Sequence, residues 1–211
     1  MIRVGSEKQL IAAIKESERY RHFFASRLQA KVEREEKAWV LLRTNMGHYT
    51  KDLIDKFFYI VDYEEGVGWW FGKMLASNKK KILEVPIETL SAWFEYICFS
   101  GRPLREIIDK SLVEDHINGA GQGLVTLLLY LTDPSKYSIW LKKTTHEGLF
   151  IIRRIDEVRK DEWGTQYVAF NNKALEFTRN YGFGHRETDF ILWFIRTYVT
   201  YDRGGFNISA T

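Results

Sequence analysis

The sequence predicts an all-α, multi-helix domain, and three observations support this fold class. Apolar residues recur at spacings of three and four along most of the 211-residue chain. Hydrophobic residues make up 45% of the sequence and aromatic residues 15%, which is enough for a substantial core. Alternation typical of a sheet is absent, and only "YSIW" (137–140) and "QYVAF" (166–170) have the composition of short strands. We therefore expect a helical fold, in one body or two lobes, with few short strands.

The first part of the chain predicts three helices. Segments 7–20 and 22–42 each carry apolar residues at helical spacing among good helix formers. Segment 49–63 adds Thr50 in a capping position. The glycine- and lysine-rich stretch 64–81 is the best candidate for a boundary between two parts of the chain. It predicts an N-terminal helical part over 1–64 and a second helical domain over 65–211, with one continuous domain as the alternative.

The second part predicts further helices. Pro86 and Pro103 each stand at the start of an apolar-periodic segment, where proline is favoured. A very apolar helix then runs to Thr132 and is stopped by Asp133-Pro134. Segments 141–155, 165–182 and 187–201 also have helical periodicity. The remaining residues form a polar, glycine-containing tail, as expected of a module cut from a longer chain or of a frayed terminus.

Composition limits the classes of function. Lysine and arginine number 31 against 28 acidic residues, a net charge of +3, so a nucleic-acid site must be local. Cys98 is the one cysteine, which excludes an internal disulfide framework and predicts a buried thiol. Neither a signal peptide nor an apolar run long enough for a membrane span is present. We expect a soluble, cytoplasmic protein with no membrane partner.

Three glycines stand at alternate positions just before the apolar helix, in "HINGAGQGLV" (116–125). The order Ile117-Asn118-Gly119-Ala120-Gly121 is the turn pattern of a helix-hairpin-helix. Glycine adopts positive φ cheaply, and backbone N–H groups at a helix start can bind a phosphate. We predict that Gly119, Gly121 and Gly123 offer these groups to DNA. A tight corner that uses glycine only for packing is the alternative.

A cluster of basic side chains supports the hypothesis that the protein binds DNA. Segment 141–160 holds six basic residues against three acidic ones, an excess equal to the net charge of the whole chain. A sequence-independent grip on phosphate needs such a local cluster. The predicted contributors are Lys142, Lys143, Arg153 and Arg154, and the run Lys79–Lys81 offers a second contact. A solvated helix face or a lysine-rich loop of a heat-tolerant protein is the alternative.

Aromatic residues supply candidates for stacking on a base. Trp69 and Trp70 are adjacent, so they cannot both point inward on a helix, and we predict that one is exposed. Trp140 is a third candidate for a pocket that accepts a flipped or modified base. Membership of the apolar core is the alternative for all three tryptophans.

The stretch from about residue 65 to 200 resembles the helical module found beside the AAA+ GTPase motor of McrB-type modification-dependent restriction proteins. Its core resembles the helix-hairpin-helix DNA glycosylase superfamily. The cues are the Ile-x-Gly-x-Gly turn, the apolar helix, the segment 133–140, Phe170-Asn171, Asp189 and Trp193. The resemblance implies double-stranded DNA, modified or plain, as a partner, with a motor in the same chain or assembly. The sequence itself contains no Walker A motif for GTP hydrolysis.

The sequence favours DNA binding over catalysis when its residues are compared with the catalytic residues of the glycosylase superfamily. Glycosylases of the family place an Asp after the apolar helix, and some add a Lys after the hairpin glycines. Trp140 and Gln122 occupy these two positions here. Asp133 precedes Pro134 and has the context of a helix stop. We expect no catalytic residue, cofactor or metal site, and keep a DNA glycosylase or lyase and a protein-assembly domain as alternatives.

Overall fold

The computed structural model describes residues 2–63, 73–156, 162–202 and 204–209. The structure is 69% helical, with ten α-helices and one small sheet in the described part. The predicted fold class, an all-α multi-helix domain with few short strands, is confirmed. None of the described helices combines the length and apolar character needed to cross a membrane.

Side-chain caps and prolines define where most helices of the first half begin. Ser6, Ser17 and Thr50 accept hydrogen bonds from backbone N–H groups in the first turns of α1, α2 and α3. The helices are α1 Glu7–Glu16, α2 Glu18–Thr44, α3 Lys51–Phe58, α4 Lys73–Glu84, α5 Ile87–Phe99, α6 Leu104–Asp109, α7 Gln122–Thr132, α8 Glu147–Ile151, α9 Trp163–Tyr181 and α10 Thr188–Tyr198. The lysine run 79–81 therefore lies on a helix, α4, and not in a lysine-rich loop, which was the alternative.

In the described ranges, three wider π-helical turns adjoin these helices. Tyr59–Tyr63 continues α3, and Lys110–Glu114 continues α6 toward the glycine turn. Lys142–His146 leads directly into α8. The segment 141–155, predicted as one helix, is thus a π turn followed by a five-residue helix.

A three-stranded antiparallel sheet joins the two ends of the described chain. Strands β1 Ile2–Val4, β2 Val199–Asp202 and β3 Gly205–Ile208 lie in the order β1-β3-β2. The prediction of a frayed polar tail was therefore wrong for these residues. The stretch 166–170, which has the composition of a strand, lies inside α9, where Tyr167 and Phe170 are buried, so the helix predicted over 165–182 is confirmed.

Helix α7 lies at the centre of the core. Every residue from Gly123 to Leu131 is buried, which explains why the helix is apolar on all sides. The buried cluster includes residues on both sides of the predicted boundary, among them Leu10 and Phe57 before it and Phe170 and Ile195 after it. Contacts of α2 with α7 and of β1 with β3 further link the segment 1–64 to the rest.

Candidate nucleic-acid interface

The glycine turn connects two helical segments, and we call residues 104–132 the α6–α7 hairpin. Its first arm is α6 with its π-helical extension, and its second arm is α7. Ile117 and Ala120 are buried and anchor the turn, where the Ala120 N–H donates to the Ile117 carbonyl oxygen at 2.9 Å. Gly119 has φ +88°, a conformation that glycine adopts without steric cost.

Gly119 also lies where another backbone comes close. A Cβ at this position would stand 2.8 Å from the carbonyl oxygen of Asn78 and 3.2 Å from side-chain atoms of Lys81 and Ile82, all on α4. Glycine is needed here both for its φ and for the approach of α4. The packing role, which the sequence offered as the alternative to DNA binding, is therefore real at Gly119.

Gly121 is in a different environment. It is exposed, has the extended backbone conformation φ −106°, ψ −178°, and a Cβ here would have no neighbour within 4 Å. It is the N-cap of α7 without a side-chain cap, and its carbonyl oxygen accepts from the Leu124 N–H at 3.0 Å. The N–H groups of Gln122 and Gly123 come before the first hydrogen bond within the helix, so they have no acceptor within α7, as is usual in the first turn of a helix. Gly123 itself is buried.

The exposed lysines 142 and 143 belong to a segment held beside the start of α7. The Trp140 N–H donates to Thr126 Oγ1 at 2.9 Å, and that hydroxyl donates to the Gln122 carbonyl oxygen at 2.8 Å. Lys142 follows Trp140 by only two residues. Within the described part of the chain, neither lysine lies within ion-pair distance of a carboxylate.

The two arginines predicted for the same cluster have other partners. Arg154 is largely buried, and its guanidinium pairs with Glu7 at 2.7 Å and Glu176 at 3.3 Å. Arg153 is exposed but lies over the ring of Tyr201, 4.6 Å from its centroid. These partners come from α1, α9 and β2, and not from the α6–α7 hairpin. The ion pairs of Arg154 with Glu7 and Glu176 engage its guanidinium, which argues against a phosphate contact for this residue. The contribution of Arg153 stays a prediction.

Trp140 is a core residue. It is 0% exposed, its ring stacks on Phe170 at a centroid distance of 5.9 Å, and its Nε1–H donates to His146 Nδ1 at 2.9 Å. His146 Nε2 in turn donates to the Asp156 carbonyl oxygen at 2.8 Å, and burial lowers the pKa of His146. Both nitrogens of a neutral imidazole are thus engaged. The prediction that Trp140 stacks on a base was wrong, since its ring has no access to one.

Other predicted contacts cannot be placed. Trp69 and Trp70 lie outside the described residues, and so do Arg159 and Lys160 of the basic segment. Of the predicted set, Gly119 and Gly121 belong to the turn. Lys142 and Lys143 follow Trp140, whose backbone N–H binds Thr126 Oγ1 one turn into α7.

Asp133 acts as the helix stop that its position before Pro134 predicted. It is the C-cap of α7, and its Oδ1 accepts from the Ser135 N–H at 3.0 Å. The hydroxyl of Ser135 and the ammonium of Lys136 lower the pKa of this carboxyl. Its hydrogen bonds are local turn contacts, which explains the residue without a catalytic role.

Sequence reasoning missed a buried ionic cluster between α2, α7 and α10. The Lys31 ammonium lies 2.6 Å from Glu35 Oε1 and 3.4 Å from Asp189 Oδ1, and donates to the Tyr130 hydroxyl at 2.9 Å. The Tyr130 hydroxyl donates to the second oxygen of Glu35 at 3.0 Å. The i, i+4 spacing of Lys31 and Glu35 was a visible signal, but the same spacing is common on exposed helix faces.

Burial dominates the electrostatics of this cluster. It raises the pKa of Glu35, and it raises the pKa of Asp189 to about 6, while the charge of Lys31 opposes both shifts. Tyr130, Thr188 and Asp189 line a cavity of about 10 Å³. That volume holds about one water molecule and is far too small for a nucleobase. The arrangement ties three helices together and offers no substrate pocket.

Comparison with known proteins adds no assignment. No protein-family model, no curated protein and no solved structure matches this chain. Among the described residues, no group of three or more His, Cys, Asp or Glu side chains has the geometry to hold a metal ion.

Proposed function

We propose that this chain is a non-catalytic DNA-binding module that grips the phosphate backbone of double-stranded DNA through the α6–α7 hairpin. One observation carries the proposal: no side chain caps the start of α7 at the exposed Gly121, and the first turns of this helix bind the backbone of Trp140, which precedes the exposed Lys142 and Lys143 by two and three residues. Backbone N–H groups at a helix start and nearby lysines are the donors that phosphate contacts use.

The chemistry of such a site is independent of base sequence. Lys142 and Lys143 supply point charges, and the turn supplies directional donors that fix the position of one phosphate. The pairing of Arg154 with Glu7 and Glu176 removes it from the proposed contact set. A small footprint of this kind predicts a few phosphate contacts and a salt slope of about −3 to −5 in a plot of log affinity against log salt.

The wider biological role follows the resemblance to McrB-type proteins. In this proposal the module directs an AAA+ restriction motor, in the same chain or assembly, to its DNA in the cytoplasm. In this proposal, Trp69 and Trp70 are the aromatic residues that would stack on a modified base.

Fluorescence anisotropy of a labelled 20-base-pair duplex, titrated at several salt concentrations, tests the proposal. The double variant Lys142→Ala/Lys143→Ala is expected to weaken binding and to reduce the salt slope by about 2. Lys136→Ala is the matched control, because Lys136 is exposed but pairs with Asp133 beyond the far end of α7. Duplexes with modified bases in the same titration measure base preference. A well-folded protein that fails to bind any duplex at low salt contradicts the proposal.

A further inference from the structure

We infer that helix α4 forms a second part of the DNA-binding surface, in which Lys80 and Lys81 contact backbone phosphates beside the α6–α7 hairpin. The inference rests on the proposed function and extends it to an element outside the hairpin. The partner is the same double-stranded DNA.

The contact between α4 and the glycine turn carries this inference. The position of a Cβ on Gly119 would be 2.8 Å from the Asn78 carbonyl oxygen and 3.2 Å from Lys81 Cβ. Ile82 is fully buried and fixes α4 to the core on this side. The stem of Lys81 therefore starts at the turn itself, and its long flexible side chain can reach a phosphate bound there.

The three consecutive lysines of α4 differ in their partners. Lys79 is half-buried and forms an ion pair with Asp55 of α3. Lys80 and Lys81 are exposed, and neither has a carboxylate within ion-pair distance in the described ranges. The structure thus separates one structural lysine from two whose charges face solvent.

Glu84, Glu114 and Asp115 flank α4 and the glycine turn in the sequence. Glu114 and Asp115, which precede the turn, both lie within 4.0 Å of the Lys110 ammonium. Glu84 is exposed one turn after Lys80 and Lys81 on α4, and within the described chain it has no ion pair with either lysine within 4.0 Å. Its negative charge is expected to oppose phosphate binding at this surface, which makes it a useful test position.

The experiment compares salt slopes for the intact chain and variants of α4 with the labelled 20-base-pair duplex. Lys80→Ala/Lys81→Ala is expected to reduce the slope by about 2, since each lost phosphate contact removes about 0.9. Lys79→Ala is the matched control on the same helix and is expected to leave the slope unchanged. Glu84→Gln is expected to strengthen binding about two- to threefold at low salt, because it removes a repulsive charge.

The outcomes distinguish this inference from the proposed function. If the Lys142/Lys143 variant loses slope but the Lys80/Lys81 variant does not, the inference about α4 is wrong and the hairpin proposal stands. If the Lys80/Lys81 variant loses slope and the Lys142/Lys143 variant does not, α4 is supported and the role of the second lysine pair is overturned. Absence of duplex binding by the folded wild-type chain overturns both. Circular dichroism of each variant verifies that the total helix content is unchanged.

Discussion

Gly119 packs against the carbonyl oxygen of Asn78, so closely that a Cβ would stand 2.8 Å from that oxygen. A Cβ on Gly121, two residues later, would have no neighbouring atom within 4 Å. The two glycines of this short motif therefore have different structural roles. The first permits a positive φ and the approach of α4, and the second leaves the start of α7 uncovered.

This difference predicts unequal effects of alanine on stability. Gly119→Ala is expected to lower the free energy of unfolding by about 2–4 kcal/mol, because the new Cβ meets a backbone oxygen at a left-handed φ. Gly121→Ala is expected to change it by less than about 1 kcal/mol, since its φ suits any residue. Urea denaturation followed by circular dichroism measures both. Equal effects would contradict the packing role of Gly119.

A backbone donor can be removed at the start of α7 without removing the helix. Gln122 is the first residue of α7, a position that accepts proline, and the extended conformation of Gly121 suits a residue before proline. Gln122→Pro deletes one N–H group and is expected to weaken duplex binding about five- to tenfold.

Gln122→Ala is the matched control for that variant. It removes the side chain but retains the N–H, so we expect duplex affinity close to that of the wild type. Anisotropy titrations at one low salt concentration compare the two variants. Equal weakening by both would assign the contact to the Gln122 side chain and contradict the backbone grip.

The buried cluster predicts a large effect at Lys31. Lys31→Met leaves Glu35 and Asp189 buried without their shared cation, and we expect a loss of about 3–5 kcal/mol at pH 7. The loss is expected to shrink as pH falls through 6, where Asp189 takes up a proton. Lys8→Met is the control, since Lys8 is exposed, and its effect is expected within about 0.5 kcal/mol. Similar effects of the two substitutions would show that Lys31 does not clamp the helices.

Asp189 predicts a defined pH dependence of stability. Its pKa is raised from 3.8 to about 6 in the folded protein, so the folded state binds the proton more tightly than the unfolded state. The associated stability is present below pH 4 and is lost as pH rises to 6, by up to about 3 kcal/mol. The raised pKa of Glu35 acts in the same direction, and the lowered pKa of His146 acts in the opposite one.

Comparison with Asp189→Asn isolates this contribution. The variant cannot lose a proton at this position, so its stability relative to the wild type is expected to increase as pH rises from 4 to 7. Urea denaturation at half-unit pH steps measures the difference. Parallel pH profiles for the two proteins would contradict the assigned role of Asp189.

Much of the fold could be predicted from local sequence. Thr50 as a cap, Asp133 as a stop and the apolar run of α7 each act within a few residues, so their pattern is sufficient. The glycine turn was recognised for the same reason, because positive φ is a local requirement. The sheet was missed because β1 and β3 pair across the length of the chain, and no local pattern encodes a partner.

The sequence by itself determined that this chain is helical, that α7 is its apolar centre and that a glycine turn precedes α7. Only the tertiary structure decided which charges are available to a ligand. Arg154 is paired with carboxylates from distant segments, and Lys31 with one from a distant segment and one on its own helix, while Lys142 and Lys143 are not paired in the described chain. The physical reason is that a charge acts on its neighbours in space, and the fold selects those neighbours.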